Sequence, residues 1–238
     1  MIHLRTQVAW ACRILAMHGH ADMTLGHVSV RGPGDIIYIK CKDYGLDEIT
    51  PDNVIAIDLD GNKVSGQGDV HLESVLHTEV YRVRPDVNAI AHTHAPYATA
   101  LGASKATLSL VNHDSLLFHE GLGSFDETAG LITDAQLGQA VARALGDRKA
   151  VLMQNHGVLV VGKDVPWVTY TALTLERAIQ IQMLAQNLGA LAPFPEETAA
   201  RLSREKYRDD FTEGYWHYLI RKLRNAGLAN GMPDDNTG

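Results

Sequence analysis

Two histidines one residue apart, His92 and His94 in Ala91-His92-Thr93-His94-Ala95, close an apolar run from Val87 to Ala91 and restrict the fold more than any other feature of the sequence. Such a run reads as a buried strand, and on a strand residues i and i+2 point to one face roughly 6.5–7 Å apart. Two imidazoles at that spacing can lean onto one cation at about 2.0–2.1 Å. A third histidine, His156, follows a second apolar run, Ala150 to Met153, and Gly157 turns the chain into a third, Val158 to Val161. If these strands are neighbours, His156 completes a three-imidazole site with room for substrate. That is the pattern of a catalytic metal rather than a structural one. A single histidine is more often a hydrogen-bonded core or surface residue, so the argument rests on the repeat at strand ends. With 12 histidines against 2 cysteines, the ion is expected to be bound by nitrogen.

Hydrophobic residues make up 45 % of the 238 and charged residues 21 %, as in an ordinary soluble globular protein. The formal charge of -7 argues against a nucleic-acid partner. Cys12 and Cys41 cannot build a disulfide framework, and a reduced setting is the default. The N-terminus has no signal-like apolar core and no run is long enough to span a bilayer. A cytoplasmic protein with no membrane partner is expected.

Leu4, Val8, Ala11, Cys12 and Leu15 predict an amphipathic first helix stopped by Gly19. Strands follow at 28–30, 36–39 and 54–59, the last turning at Asp60-Gly61-Asn62 into Lys63 to Ser65. Gly66-Gln67-Gly68-Asp69 is expected to cap a helix from about Val70 to Val83, its apolar stripe being Leu72, Val75, Leu76, Val80 and Val83. After the His92/His94 strand, Pro96 begins a short helix. Short strands are expected at 108–111 and 116–118. Asp134 caps the next helix, with Gly146 after its end. Asp164 opens a long helix that Gly189 ends, and a final helical region runs from about Glu196 to Ala226. No Gly-x-Gly-x-x-Gly turn supports dinucleotide binding. One α/β domain over 1–229, with a frayed tail at 230–238, is the expected organisation.

Glu73 falls in the first turn of the predicted 70–83 helix, with His77 four residues later on the same face. The helix N-terminus and a nearby cation would both favour its ionised form. It can serve as metal ligand and general acid/base, or only as a carboxylate answering the helix dipole; the spacing leaves both open.

At this point a family resemblance enters. Thr24-Leu25-Gly26-His27-Val28-Ser29-Val30-Arg31 resembles the Gly-Asn-x-Ser-x-Arg element of the class II aldolase/adducin family. Glu73-x-x-x-His77-x-x-x-Tyr81-x-x-Arg84-Pro85-Asp86-Val87 resembles its Glu-helix, His92-Thr93-His94-Ala95-Pro96 and Asn155-His156-Gly157 its metal motifs, and Leu175-Glu176 its long helix. The resemblance covers roughly residues 5–190. It implies a layered α/β/α fold with a central, mostly antiparallel sheet flanked by helices. It also implies a homotetramer with active sites at subunit interfaces, and one divalent ion per subunit on His92, His94 and His156, with Glu73 as ligand and acid/base. Zn2+ or Mn2+ is the expected ion, with Fe2+ or Co2+ as options. Adducin keeps the fold without the metal residues; this chain has them all, which implies an enzyme.

The departures narrow the chemistry. Sugar-phosphate aldolases of the family bind phosphate partly through an Asn where His27 stands and a Ser-Ser pair where His71 and Leu72 stand. Leu72 has no donor to offer, so a phosphorylated ketose is disfavoured. Ala11 to Ala16 and Thr24 to Ser29 look like a decarboxylase branch acting on hydroxylated aromatic or pyridine carboxylates. Metal chelation by a carboxylate and its neighbouring hydroxyl would stabilise the charge that develops as CO2 leaves. His27, Ser29, His71 and His113 (standing where aldolases place a catalytic tyrosine) are the substrate-binding candidates; ordinary polar packing is the alternative for each. The expected function is thus a metal-dependent carbon–carbon lyase on a small non-phosphorylated molecule, decarboxylation first and aldol cleavage of a hydroxy-oxo acid or sugar second. A non-haem Fe(II) oxygenase and a non-catalytic adducin-like binding protein are the readings from other classes. Tyr207, Phe211, Tyr215, Trp216 and Tyr218, in the final helical region, are expected to be packing residues unless one reaches a neighbouring active site.

Overall fold

In a computed structural model that describes residues 2–233, the strands form one eight-stranded sheet. These are β1 (His27–Arg31), β2 (Ile37–Lys40), β3 (Val54–Ile57), β4 (Lys63–Ser65), β5 (Ala89–Thr93), β6 (Gly123–Phe125), β7 (Ala150–Met153) and β8 (Gly157–Gly162), in the order β4-β3-β2-β1-β5-β8-β7-β6. Only β6 and β7 pair in parallel; every other neighbour is antiparallel. The α/β fold with a central, mostly antiparallel sheet is the one expected.

Alternation along the strands assigns the two faces. Val28, Val30, Tyr38, Ala56, Ala91 and Val160 belong to one core cluster, and Ile37, Ile39, Ile55, Ile57, Ile90 and Leu159 to the other. Each fully buried branched side chain contributes about 1.5–3 kcal/mol. Helices α1 (Ile2–Leu15), α3 (Pro96–Gly102), α5 (Val165–Leu188) and α7 (Asp209–Asn225) cover the first face; α2 (Val75–Val83) and α4 (Ala135–Leu145) cover the second. α6 (Glu196–Lys206) packs on the 115–118 turn. By parity His27 and Ser29 on β1, and His92 on β5, share the second face, beneath α2.

Several elements differ from expectation. Residues 70–71 are irregular and 72–74 form a turn: the Ser74 amide donates to the His71 carbonyl and the Leu76 amide to the Glu73 carbonyl, so the α-helix proper begins at Val75 and Glu73 precedes it. Leu72 and Val83 accordingly drop out of the buried stripe, which keeps Leu76 and Val80. Residues 115–118 form a 3-10 turn and 108–111 stay irregular. Side-chain bonds replace strand pairing there, from the Ser109 amide to Gln182 and between Asn112 and Ser115. The last helical region is two helices broken at Tyr207 and Arg208, where the Tyr207 hydroxyl donates to the His113 carbonyl. Met232 packs against the core and the Pro233 carbonyl accepts from Arg224; residues 234–238 of the expected frayed tail lie outside the described residues.

Candidate metal centre

β5 lies between β1 and β8, with His92 opposite His27 on one side and Leu159 on the other. His94 continues past the strand, and the carboxylate of Glu176 on α5 accepts the Tyr97 and Ala98 amides at 2.6 and 2.9 Å, fixing the start of α3 directly after it. The β7–β8 hairpin carries His156, reached through Asn155 at φ 56°. The expected neighbouring strands are therefore in place, and the three rings gather with centroids 5.1–5.4 Å apart. One ligand atom from each of His92, His94 and His156 lies within 4.8 Å of the others.

The hydrogen bonds fix which nitrogens are free. His92 Nδ1 donates to the Val158 carbonyl at 3.1 Å and His94 Nδ1 to Asp22 Oδ2 at 2.9 Å. Each thus turns a bare Nε2 inward, and both Nε2 atoms are buried with no protein partner. An imidazole anchored through one nitrogen on a carbonyl or carboxylate, with the other bare, is the arrangement of a metal ligand and its supporting group. The donor set, three imidazoles and one carboxylate, fits a divalent ion.

Glu73, 2 % exposed, stands beside them. Its Oε1 accepts the Ile132 amide at 2.8 Å and lies 3.5 Å from His156 Nε2, while Oε2 lies 3.8 Å from His92 Nε2. Burial by itself would raise this carboxyl, but the His156 and His92 imidazoles and the Ile132 amide outweigh it and hold it at about 2. Burial pushes His92 and His27 well below the ordinary imidazole value, His77 down to about 3 and His71 to about 4. These four rings are neutral at physiological pH, the form in which an imidazole can ligate metal.

A cleft of about 110 Å3 opens onto His94 and Glu73, walled by His71, Lys42, Leu25 and Leu72 among others. Larger clefts of about 450 and 810 Å3 border none of His92, His94, His156 or Glu73. Gly26, at φ +76°, lets the backbone before β1 pass the His92 carbonyl, which a Cβ would meet at 3.3 Å.

The remaining expected residues separate. His71 joins the cluster, its ring 4.1 Å from that of His27 and its Nδ1 accepting the Glu73 amide at 3.4 Å. His27 is fully buried behind it. Ser29 turns away from the cleft into bonds with His77 and Tyr81. His113 is exposed, its ring facing Phe194, and does not border the cleft. None of the five C-terminal aromatics borders it either; Tyr215 and Tyr218 line the 450 Å3 cleft.

Sequence reasoning did not assign roles to Asp22, the Ile132 amide or Lys40. Lys40 is a fully buried strand lysine whose Nζ donates to the Thr24 carbonyl at 3.0 Å, under the loop that walls the cleft. A lysine inside an apolar strand was a visible signal for it. Asp22 and Ile132 sit in irregular segments and carried none.

A family model described as the Class II Aldolase and Adducin N-terminal domain matches residues 6–183. The chain is 31% identical over 202 residues, covering 83% of itself and 73% of the relative, to a Streptomyces roseochromogenus subsp. oscitans protein named 4-hydroxy-3-prenylphenylpyruvate oxygenase/4-hydroxy-3-prenylbenzoate synthase. It is 29% identical over 212 residues, covering 83% of itself and 85% of the relative, to the 3,4-dihydroxyphthalate decarboxylase of Arthrobacter keyseri. The crystal structure of an aldolase II superfamily protein from Pseudomonas syringae matches with a TM-score of 0.85 and 27% identity, over 95% of this chain and 94% of that one.

Proposed function

The chain belongs to the class II aldolase and adducin family, and on that premise we propose that it is a divalent-metal-dependent carbon–carbon lyase that decarboxylates a small hydroxylated aromatic or heteroaromatic acid. The observation that carries the reading is the pairing of bare, buried His92 and His94 nitrogens and an ionised Glu73 with a cleft that Leu25, Leu72 and Leu131 wall in part. Leu25, Leu72 and Leu131, 41 %, 57 % and 56 % exposed, all line that cleft and suit the face of a ring. Lys42, 3.8 Å from the Asp43 carboxylate on the same rim, and His71 supply the polar contacts for a substrate carboxylate.

His92, His94, His156 and Glu73 would hold the ion. A Zn2+ or Mn2+ ion there supplies Lewis-acid polarisation of a carboxylate and its neighbouring hydroxyl. Glu73 begins as a carboxylate, so it first collects a proton, from the substrate hydroxyl or from water in the cleft, and then passes it to the carbon that CO2 leaves. The Ile132 amide holds that carboxylate in place through the transfer. His71 orients the substrate from the rim, and His27 and Ser29 act from behind it. His113 would meet substrate only from a neighbouring subunit, which fits the proposed homotetramer. An exposed apolar strip on the second half of α5, with Met183 at 39 %, Leu184 at 58 % and Leu188 at 91 %, is the surface we assign to that assembly. We propose a cytoplasmic protein; no helix among the described residues is long and apolar enough to cross a membrane.

Elemental analysis of the purified protein, paired with CO2 release from hydroxylated benzoic and pyridine carboxylic acids, tests the proposal. One divalent ion per chain and metal-dependent CO2 release are expected. Efficient cleavage of a ketose 1-phosphate without CO2 release would overturn it in favour of the aldolase reading. The name of the Streptomyces relative supports a second reading, an oxygenase, which O2 consumption by the Fe2+-loaded protein would reveal.

A further inference from the structure

Behind the cleft, four side chains form one buried hydrogen-bonded series. His27 Nδ1 lies 2.6 Å from His77 Nε2, His77 Nδ1 lies 2.6 Å from Ser29 Oγ, and Ser29 Oγ lies 2.8 Å from the Tyr81 hydroxyl. The Tyr81 hydroxyl also donates to the Asn88 carbonyl at 3.4 Å. All four side chains are buried. Ser29 comes from β1 and the two α2 residues His77 and Tyr81 lie one turn apart, which is why they meet over the same strand.

Protons can run along this series in two neutral arrangements. In one, Tyr81 donates to the Asn88 carbonyl, Ser29 to Tyr81, His77 Nδ1 to Ser29, and His27 Nδ1 to His77 Nε2. Every contact is then used and His27 Nε2 is left without a proton. In the other, every proton points the opposite way. The contact to the Asn88 carbonyl is wasted, and His27 Nε2 carries an N–H that is buried with no acceptor at hydrogen-bond distance. Either arrangement leaves His27 Nε2 without a protein partner, as donor or as acceptor, at a similar cost of about 1–3 kcal/mol. The first is favoured by the one extra bond it makes, from Tyr81 to the Asn88 carbonyl, which can only accept.

The bare His27 Nε2 does not stand alone. Ligand atoms of His27, Glu73 and His92 all lie within 4.8 Å of one another and all three residues are buried. His92 Nε2 is itself bare, because its Nδ1 donates to Val158. Of these converging acceptors the protein itself satisfies only Glu73 Oε1, through the Ile132 amide, and the set suits a cation. We infer that His27 is a further metal ligand, its Nε2 kept free by the Tyr81–Ser29–His77 series, and that His27, Glu73 and His92 form a second locus for a divalent cation beside the one at His92, His94 and His156. His92 Nε2 has a single lone pair, so the loci are alternatives for one ion, and an ion can move between them without leaving the protein.

The inference rests on the metal-centre reading only through the shared Glu73 and His92, and its test reads ion binding rather than turnover. In the His94→Ala/His156→Ala double variant the first locus is gone. Titration with Co2+, followed by its visible absorption, is expected to show one equivalent still bound. Adding His27→Asn should weaken that binding at least ten-fold. Tyr81→Phe should weaken it from a distance: without the tyrosine hydroxyl the Ser29 proton has only His77 Nδ1 to go to, and the bias that keeps His27 Nε2 free is lost. A folded double variant that binds no Co2+, or Co2+ binding indifferent to His27→Asn, would overturn the inference. Should the double variant fail to fold, neutron diffraction from the unsubstituted protein decides: a deuteron on His27 Nδ1 and none on Nε2 is expected, and one on Nε2 refutes it. A protein that binds Co2+ as stated yet releases no CO2 removes the decarboxylase reading alone.

Discussion

Gly157→Ala is the most exacting perturbation, because one added methyl strikes both the sheet and the metal centre. Gly157 opens β8 directly after His156, and a Cβ built there falls 2.6 Å from the Thr93 carbonyl oxygen and 2.7 Å from His94 Cδ2. The first contact is about 0.9 Å short of the ~3.5 Å at which such atoms touch without repulsion. Thr93 cannot retreat freely, because it is held opposite Val158 in the β5–β8 ladder. Overpacking of this kind costs about 1–3 kcal/mol. For a chain of this size that corresponds to roughly 2–12 °C in melting temperature, at about 2–4 °C per kcal/mol. The second contact pushes on the His94 ring, so metal affinity should fall by about 10–100-fold, the usual result of disturbing a ligand's support. Thermal melts with and without Zn2+, and chelator competition for the ion, measure the two effects separately. Gly214→Ala is the control: nothing lies within 4 Å of its Cβ in α7, and the substitution should stabilise by about 0.5–1 kcal/mol. A Gly157→Ala protein with unchanged melting temperature and unchanged Zn2+ affinity would refute the packing argument.

The other predictions concern charge and ligation. His94→Ala should strip metal and activity together while the fold seen by circular dichroism stays intact; full activity with metal retained would count against the ligand set. Glu73→Gln should keep most of the metal and lose about 10²–10⁴-fold in turnover, and an unchanged rate in a CO2-release assay would remove its acid/base role. Burial holds His20 at about 4 and His77 at about 3 in the fold, against 6.5 in an unfolded chain. The unfolded state therefore binds more protons below pH 6.5, and stability is full above that value and lost as pH falls toward 4 and then 3. Each of these two histidines contributes a slope of about 1.4 kcal/mol per pH unit in that window. Urea midpoints at pH 7.5, 6 and 5 check the sign; a midpoint that rises on acidification contradicts it. Glu73, held at about 2, adds stability above its unfolded value near 4.5 that is lost progressively as pH falls from there to about 2.

How much of this the sequence disclosed follows the strength of local periodicity. The i, i+2 histidines at the end of an apolar run, and the third after another, were legible because each lies in or directly beside a strand of the same sheet, although only His92 lies within one. The caps at Asp134 and Asp164 were legible for an equally local reason, and their side chains accept the Leu137 and Trp167 amides. The start of α2 was not: residues 70–74 carry helical apolar spacing, yet the turn that presents Glu73 uses 3-10 bonds and leaves Leu72 in the cleft wall. Asp22 and the Ile132 amide act from irregular segments, where no repeat marks them. The His27–His77 contact joins residues 50 apart in sequence, and only the packing of α2 over β1 brings them together. The segment between α3 and β6 satisfies its polar groups through Gln182 and Asn112 rather than through a ladder, so strand propensity misled there.

The most direct test is anomalous diffraction from crystals of the protein grown with Zn2+ or Mn2+. One strong peak per chain, within coordination distance of His92 together with either His94 and His156 or His27 and Glu73, is predicted. Rings that stay free of metal, or an ion bound only at some other part of the surface, would contradict the account at its base.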